Sequence, residues 1–264
     1  MSDSLEDVAF LTRSAHRVTV LRELADGPRT RTDLVDATGA SRVTVGRILG
    51  DFTDRNWAVR DGDTYRVTPL GRLLAEDLSR LLDSAAVGRR FRDVLGLLPT
   101  DAIDVDFRAF ADATVTEADP ADPTAPARRY ASVMADADAV RVLSRTAKPA
   151  AIRHHREAVS ESEQSFAVVH AERSLSAIAT DPEMRAWLRD IAASGQGEHF
   201  RTDRAVPVDL MIADETVVLM LSDEDGTRPA VVESDDETVR AWAVEMFEAH
   251  RADATPVAVE DLPD

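Results

Sequence analysis

Residues 40–49 read ASRVTVGRIL, and the fold is decided by how that stretch is read. Ser41 is a helix-capping residue type, and Val45, Ile48, Leu49 and Phe52 recur at i, i+3, i+4 and i+7, so the spacing predicts a helix from Arg42 to Arg55 with one buried side. Arg42, Thr44 and Arg47 fall off that stripe, mostly in the first two turns. Upstream, Gly39 supplies a tight turn after a short helix over Asp33–Thr38, with Thr32 as its expected cap and Leu34 and Val35 as its buried residues. Residues 14–26 form an earlier helix carrying Val18, Leu21 and Leu24 and ended by Gly27-Pro28, itself preceded by a helical stretch from Leu5 to Leu11. Downstream, Trp57–Arg60 and Thr64–Val67 flank Asp61-Gly62-Asp63, the signature of a two-stranded hairpin, and Thr68-Pro69 opens another helix.

Helix, helix, turn, helix, hairpin and helix in this order resemble a winged helix-turn-helix domain over roughly residues 5–95. The resemblance implies that the second helix of the motif enters the major groove of double-stranded DNA and reads bases from its N-terminal part. Ser41, Arg42, Thr44 and Arg47 are then the groove-facing candidates, and the arginine fork suits guanine O6 and N7. Arg29, Thr30 and Arg31, and the wing residues Arg60, Tyr65 and Arg66, are candidates for phosphate contacts. Small helical domains also dock proteins and surface arginines are often only solvated, so Arg55 is equally suited to pairing with an acid. Trp57 is read as core beneath the wing.

The charge distribution bears on this reading. The 264 residues hold 31 basic and 49 acidic side chains, a net charge of −18. Residues 1–68 carry 10 arginines against 11 carboxylates, and the remainder 21 basic against 38 acidic residues, so the near-neutral N-terminal quarter is where a polyanion can approach. Lys148 is the sole lysine among the basic residues. Abundant Asp with almost no Lys resembles the composition of proteins from extremely salt-rich cytoplasm, where an acidic surface preserves solubility. Self-repulsion is expected to weaken the fold in dilute buffer, so the melting temperature should rise towards multimolar salt; a higher melting temperature at low salt would contradict this. Concentrated salt also suppresses counterion release, so a DNA reader working there leans on base edges and apolar contacts, and a basic patch is not required.

The 44% apolar content builds genuine cores, and no apolar run reaches the length of a membrane span. The acidic start MSDSLEDVAF lacks the order of a secretory signal, so a cytoplasmic location and no membrane partner are expected. Without cysteine, thiolate metal sites and disulfides are excluded.

Leu70, Leu73, Leu74, Leu78, Leu81 and Leu82 form an apolar band along residues 69–95, which either pairs with a second copy in a homodimer or packs on the C-terminal domain. Beyond Pro99 the pattern changes. Strands are expected at 113–118, 140–144, 166–170, 206–212, 215–221 and 229–233, and helices at 126–135, 149–159, 172–178, 182–193 and 235–250, an α/β sheet domain with flanking helices. The expected organisation is a winged domain over 1–68, a linker or dimerisation helix over 69–97, a sensor or oligomerisation domain over 98–252 and an acidic tail over 253–264.

VTEADPADPTAPARRY (115–130), VRVLS (140–144) and residues 206–251 resemble archaeal winged-helix regulators whose C-terminal part is a methanogenesis-regulatory domain. The plan is also similar to TrmB-type regulators, whose sensing domain is related to phospholipase D. That chemistry needs an H-x-K arrangement, and no histidine here is followed by lysine at that spacing, which removes the catalytic inference. His154 and His155 are adjacent rather than a turn apart, so no metal site and no cofactor are expected. Ser144, Arg145 and Lys148, after the strand VRVLS, and His170, ending the next strand, are the candidates for a small-molecule effector site at the strand ends. The alternative is that Arg145 and Lys148 neutralise nearby acids. The function expected is a dimeric transcriptional regulator and not an enzyme; a phosphodiesterase-like enzyme, or a regulator acting through protein contacts alone, are the rivals.

Overall fold

The computed structural model describes residues 2–161, 164–194, 197–223 and 229–257. Two compact units divide the chain, Met1–Asp83 and Ser84–Asp264. The first contains α1 (Ser2–Thr12), α2 (Ala15–Asp26), β1 (Arg29–Thr30), α3 (Arg31–Thr38), α4 (Arg42–Asp54), β2 (Ala58–Asp61), β3 (Thr64–Val67) and the start of α5 (Pro69–Arg90). The division between the units falls inside α5, whereas the sequence suggests a separate segment over 69–97.

The core of the first unit follows from helical spacing. Val20, Leu21 and Leu24 of α2, Leu34 of α3, Val45, Ile48, Leu49 and Phe52 of α4 and Ala75 and Leu78 of α5 are buried around Trp57, whose ring lies 5.6 Å from that of Phe52. Gly39 sits at φ 64°, the left-handed conformation that the turn between α3 and α4 requires. One cap differs from expectation. Thr30, not Thr32, caps α3, because its hydroxyl accepts from the Asp33 amide while the Asp33 carboxylate accepts from the Thr30 amide. The wing gains a strand that the sequence conceals: β1 is two residues long, and it pairs with β3 to give the order β1-β3-β2.

Thr68 anchors the start of α5 to the base of the wing. Its hydroxyl donates to the Asn56 carbonyl at 2.6 Å and accepts from the Gly71 amide at 3.1 Å, and its amide donates to the Trp57 carbonyl at 2.9 Å. A Cβ on Gly71 would lie 2.0 Å from that same Trp57 oxygen. Gly71→Ala should therefore destabilise the protein by about 2 kcal/mol through forced displacement of α5, read as a lower urea midpoint; an unchanged midpoint would show that the approach is looser than described.

The second unit begins with the last turns of α5, passes through three short 3₁₀ turns between Leu95 and Phe110 and continues with β4 (Thr114–Glu117), α6 (Ala125–Ala135), β5 (Ala139–Ser144), α7 (Pro149–Glu161), β6 (Ser165–Ala171), α8 (Glu172–Thr180), α9 (Pro182–Ser194), β7 (Glu198–Thr202), β8 (Asp209–Ala213), β9 (Thr216–Leu221), β10 (Ala230–Ser234), α10 (Glu237–Ala252) and β11 (Thr255–Pro256). The described strands form one sheet in the order β11-β7-β6-β5-β8-β9-β10-β4. β5, β6 and β7 are parallel, joined by helical crossovers, while β8, β9, β10 and β4 continue as an antiparallel meander. Strand β7, EHFRT, is absent from the sequence expectation because its alternation is short and polar. Of the expected tail over 253–264, Thr255–Pro256 pairs with β7 and residues 258–264 lie outside the described residues.

Strand periodicity sorts side chains to two covered faces. Leu143, Val169, Leu210 and Ile212 meet Val239, Trp242, Ala243 and Phe247 of α10 on one face. Val142, Val168 and Met211 meet Tyr130 and Met134 of α6 and Ala158 of α7 on the other. With both faces covered, β8 is buried at every position and reads as an unbroken apolar run after Asp209. Among the described residues, no helix is long and apolar enough to cross a membrane.

Candidate nucleic-acid interface and effector cavity

α4 turns one side to its core and the other to solvent. At 100° per residue, Val43, Arg47 and Gly50 lie opposite the buried stripe, with Arg42 and Thr44 flanking them in the first turn. Val43 is 83% exposed, and Arg42, Arg47 and Gly50 are also exposed. Among the described residues, neither the Arg42 nor the Arg47 side chain takes part in an ion pair or hydrogen bond, so both guanidinium groups keep their full donor set for another molecule. Ser41 caps the helix by accepting from the Thr44 amide at 3.1 Å, and the two hydroxyls lie 3.0 Å apart. One of them donates to the other, which leaves a single hydroxyl proton to face outward. Sequence reasoning missed Val43. An exposed apolar residue beside two arginines whose side chains have no partner among the described residues becomes visible only once the helix phase is fixed.

The residues chosen for phosphate contacts are less available. Tyr65 is buried beneath the wing, which corrects its assignment as a surface contact: strand alternation turns it inward, opposite to Arg66. Arg31 lies over Gly46 of α4, with one guanidinium nitrogen 3.5 Å from the Tyr65 hydroxyl. Arg29 pairs with Glu23 at 3.0 Å, and the Thr30 hydroxyl is engaged in the α3 cap. Arg60 donates to the Gly62 carbonyl and Arg66 pairs with Asp61 at 2.9 Å, both at the exposed wing tip. Such surface pairs are worth at most ~1 kcal/mol and exchange readily for phosphate. Arg55 pairs with Asp7 at 3.3 Å, and Trp57 is core.

In the second unit, Ser144, Lys148 and His170 line one cavity of about 50 Å³, together with Tyr130, His155, His199 and Asp209. Arg145 is not among the lining residues; its amide donates to Asp209 and its carbonyl accepts from Arg173. Asp209 organises the loop after β5. Its carboxylate accepts from the Arg145 amide at 2.7 Å, the Thr146 amide at 3.0 Å and the Thr146 hydroxyl at 2.8 Å, and it meets the Lys148 ammonium at 2.7 Å. Lys148 thus neutralises a neighbouring acid. Burial pushes its ammonium below the ordinary lysine value while Asp209 pulls the other way. Asp209→Asn should cost about 3 kcal/mol, since it leaves a largely buried ammonium unpaired and clashes one amide donor with another; a urea midpoint within error of the parent would contradict this. Ser144 accepts or donates in a 2.9 Å bond with the buried Ser174 hydroxyl.

Three histidines far apart in the sequence come together in the fold. His155 of α7, His170 of β6 and His199 of β7 form one buried cluster, with the His155 and His199 ring centroids 5.2 Å apart and His170 Nε2 hydrogen-bonded edge to edge to His199 Nδ1 at 3.0 Å. Recognition of EHFRT as a strand would have found it, because Val168 is the register partner of His199 and places His170 two positions along on the same face. Burial holds all three imidazoles below the ordinary histidine value, His155 to about 3 and His199 to about 4, and His170 well below it. Repulsion between neighbouring rings adds to the shift of His155 and His170.

The family described as the HVO_A0261 N-terminal domain matches residues 5–90, and that described as the middle domain of the methanogenesis regulatory protein FilR1 matches residues 123–253. No curated protein matches. Among solved structures, the chain is similar to TrmBL2, an archaeal chromatin protein reported to show a novel mode of DNA binding, at 15% identity over 92% of this chain and 94% of that one, with a TM-score of 0.44. It is similar to Nuc, a phospholipase D family member from Salmonella typhimurium, at 16% identity over 55% of this chain and 99% of that one, TM-score 0.44. The adhesin competence repressor of Streptococcus pyogenes is similar at 17% identity over 36% of this chain and 81% of that one, TM-score 0.27. At these TM-scores the likenesses are partial.

Proposed function

We propose, on the premise that this chain joins an HVO_A0261-type N-terminal domain to a FilR1-type methanogenesis-regulatory middle domain, that it is a DNA-binding transcriptional regulator controlled by a small molecule. The observation that carries the reading is the outward face of α4, where the Arg42 and Arg47 side chains, without a partner among the described residues, stand around the exposed Val43. Two forks for guanine edges and one methyl-sized apolar contact make a face suited to the major groove. Arg29, Arg60 and Arg66 hold phosphates by exchanging their present partners, and Ser41 and Thr44 supply a hydroxyl at the helix start.

The regulator works as a homodimer, so that two α4 helices address two half-sites. Leu70, Leu73 and Leu81 support this: they are 49%, 54% and 56% exposed and share one side of α5. The cavity lined by Ser144, Lys148 and His170 takes the effector, and its occupancy biases the dimer between arrangements of different operator affinity. The phosphodiesterase alternative lacks its H-x-K pair.

Selection from a random duplex pool by the full-length protein in multimolar potassium chloride tests the reading. A single enriched motif with two-fold symmetry is the expected result. Recovery of an unenriched pool would overturn it.

A further inference from the structure

Lys148 is the one lysine among 31 basic residues, and it stands in the wall of the effector cavity. Its ammonium meets the Asp209 carboxylate at 2.7 Å and the Thr146 hydroxyl at 3.0 Å. Both partners line the same space, so the charged end of the side chain belongs to the wall. An arginine here would serve a carboxylate better, with a planar fork that grips both oxygens and keeps its proton. What lysine brings instead is a nitrogen that becomes a nucleophile once a proton is lost.

The surroundings favour that loss. Burial pushes the ammonium below the ordinary lysine value against the pull of Asp209, and the Arg145 charge adds to the fall. The Asp209 carboxylate is a proton acceptor in direct contact. Among the described lining residues, Lys148 and Asp209 carry the charge. The other side chains are apolar, hydroxyl-bearing, or imidazoles that burial keeps neutral.

A second polar group indicates what the nitrogen meets. Tyr130 also lines the cavity and is 4% exposed, and among the described residues its hydroxyl makes no hydrogen bond. Burial, and then the Asp209 charge, hold that phenol well above its ordinary value, so it stays a donor. A buried donor left unmet is costly, so an occupant carrying an acceptor oxygen is favoured. An anion is poorly served, because Asp209 already neutralises Lys148 and repels a second negative charge. A neutral carbonyl group accepts from Tyr130 through its oxygen and offers its electrophilic carbon to the amine. A volume of about 50 Å³ admits roughly three to five water-sized groups, so the carbonyl compound is short. An aldehyde, with hydrogen on the carbon attacked, crowds that space less than a ketone does.

We propose that Lys148 captures a short-chain aldehyde as a reversible imine, with Asp209 relaying protons and Tyr130 hydrogen-bonded to the aldehyde oxygen. This rests on the reading of the cavity as the effector site and names the class of effector. Asp209 takes one ammonium proton, and the freed lone pair forms the C–N bond as the carbonyl pair moves onto oxygen. A second nitrogen proton passes to that oxygen, giving the carbinolamine. Asp209 then returns its proton to the new hydroxyl, the C–O bond breaks and water leaves. Lys–NH3+ and R–CHO thus become Lys–NH+=CHR and H2O, with no oxidant or reductant. The protonated imine keeps one positive charge beside Asp209, so the buried pair is preserved.

The test incubates the full chain with propionaldehyde and cyanoborohydride at neutral pH in multimolar potassium chloride. Cyanoborohydride reduces an imine to a stable propylamine, which peptide mass spectrometry locates. With one lysine in the chain, the α-amino group serves as the internal reference. Lys148 should be propylated saturably, ahead of the α-amino group and at least about tenfold faster than N-acetyl-lysine, as capture in a preorganised site requires. The bulkier cyclohexanecarbaldehyde should gain no such advantage. Tyr130→Phe should raise the half-saturating propionaldehyde concentration about fivefold. Lys148→Arg, which keeps the charge beside Asp209, should leave only the α-amino adduct; if it does not fold, the peptide map of the parent chain decides. Labelling confined to the α-amino group, Lys148 labelling no faster than the free model amine, or an equal advantage for the bulky aldehyde would each overturn the proposal. Binding to the selected duplex is measured on the same samples. Lys148 capture without duplex binding removes the regulator reading and leaves the aldehyde site standing, whereas duplex binding without capture removes the aldehyde alone.

Discussion

Replacing Arg42 and Arg47 together by alanine should weaken binding to the selected duplex by at least about thirtyfold while leaving the melting temperature unchanged. Each bidentate arginine–guanine pair contributes about 1–3 kcal/mol of discrimination, so two lost pairs amount to about 2 kcal/mol at the lower bound, or about thirtyfold. The fold should not register the change, because both side chains are exposed and make no bond or ion pair among the described residues. Alanine at Arg60 or Arg66 should cost less than tenfold, since each already has a partner at the wing tip and a phosphate contact gains little in concentrated salt. The contrast between the two sets separates base reading from backbone attraction. Equal losses at all four positions, measured by titration at two salt concentrations, would place the energy in phosphates.

Acidification from pH 7.5 to 5 should lower the unfolding free energy by about 2 kcal/mol for each of three buried imidazoles. In the unfolded chain histidine binds a proton below about 6.5. In the folded chain burial refuses that proton down to about 4 at His199 and about 3 at His155, and well below the ordinary value at His170. Between these limits the unfolded state holds more protons, so stability rises with pH; above about 6.5 both states are neutral and the dependence ends. The carboxylate surface works in the opposite direction, because its self-repulsion eases as pH falls, and that makes the sign informative. Urea titrations at constant high salt measure the slope, and His199→Phe should remove about a third of it. A flat profile between pH 7.5 and 5 would mean that the imidazoles protonate in place.

The helical parts of both units were legible because their signals are local. The i, i+3, i+4, i+7 stripe of Val45, Ile48, Leu49 and Phe52 is the observed buried face of α4, and Ser41 and Gly39 perform the cap and turn their residue types suit. What escaped depends on long-range pairing. β1 is a strand only because β3 lies beside it, and β7 is polar along half its length because it lies next to the last strand, β11, at the sheet edge. Missing β7 hid the histidine cluster, since His155, His170 and His199 meet only when three separate elements pack together. Tyr65 illustrates a different failure. Alternation on a four-residue strand gives no clear phase, and the aromatic ring went to the core while its neighbour Arg66 stayed outside. Lys148 was conspicuous by composition, but its partner Asp209 lies on a distant strand and could not be read from the sequence.

The central claim is that the first turns of α4 read base pairs. Genome-wide DNA occupancy in near-native salt, compared between the parent chain and Arg42→Ala/Arg47→Ala at equal abundance, tests it most directly. Discrete peaks for the parent that vanish in the double variant are the predicted result; peaks that keep their positions and heights without those two guanidinium groups would contradict it.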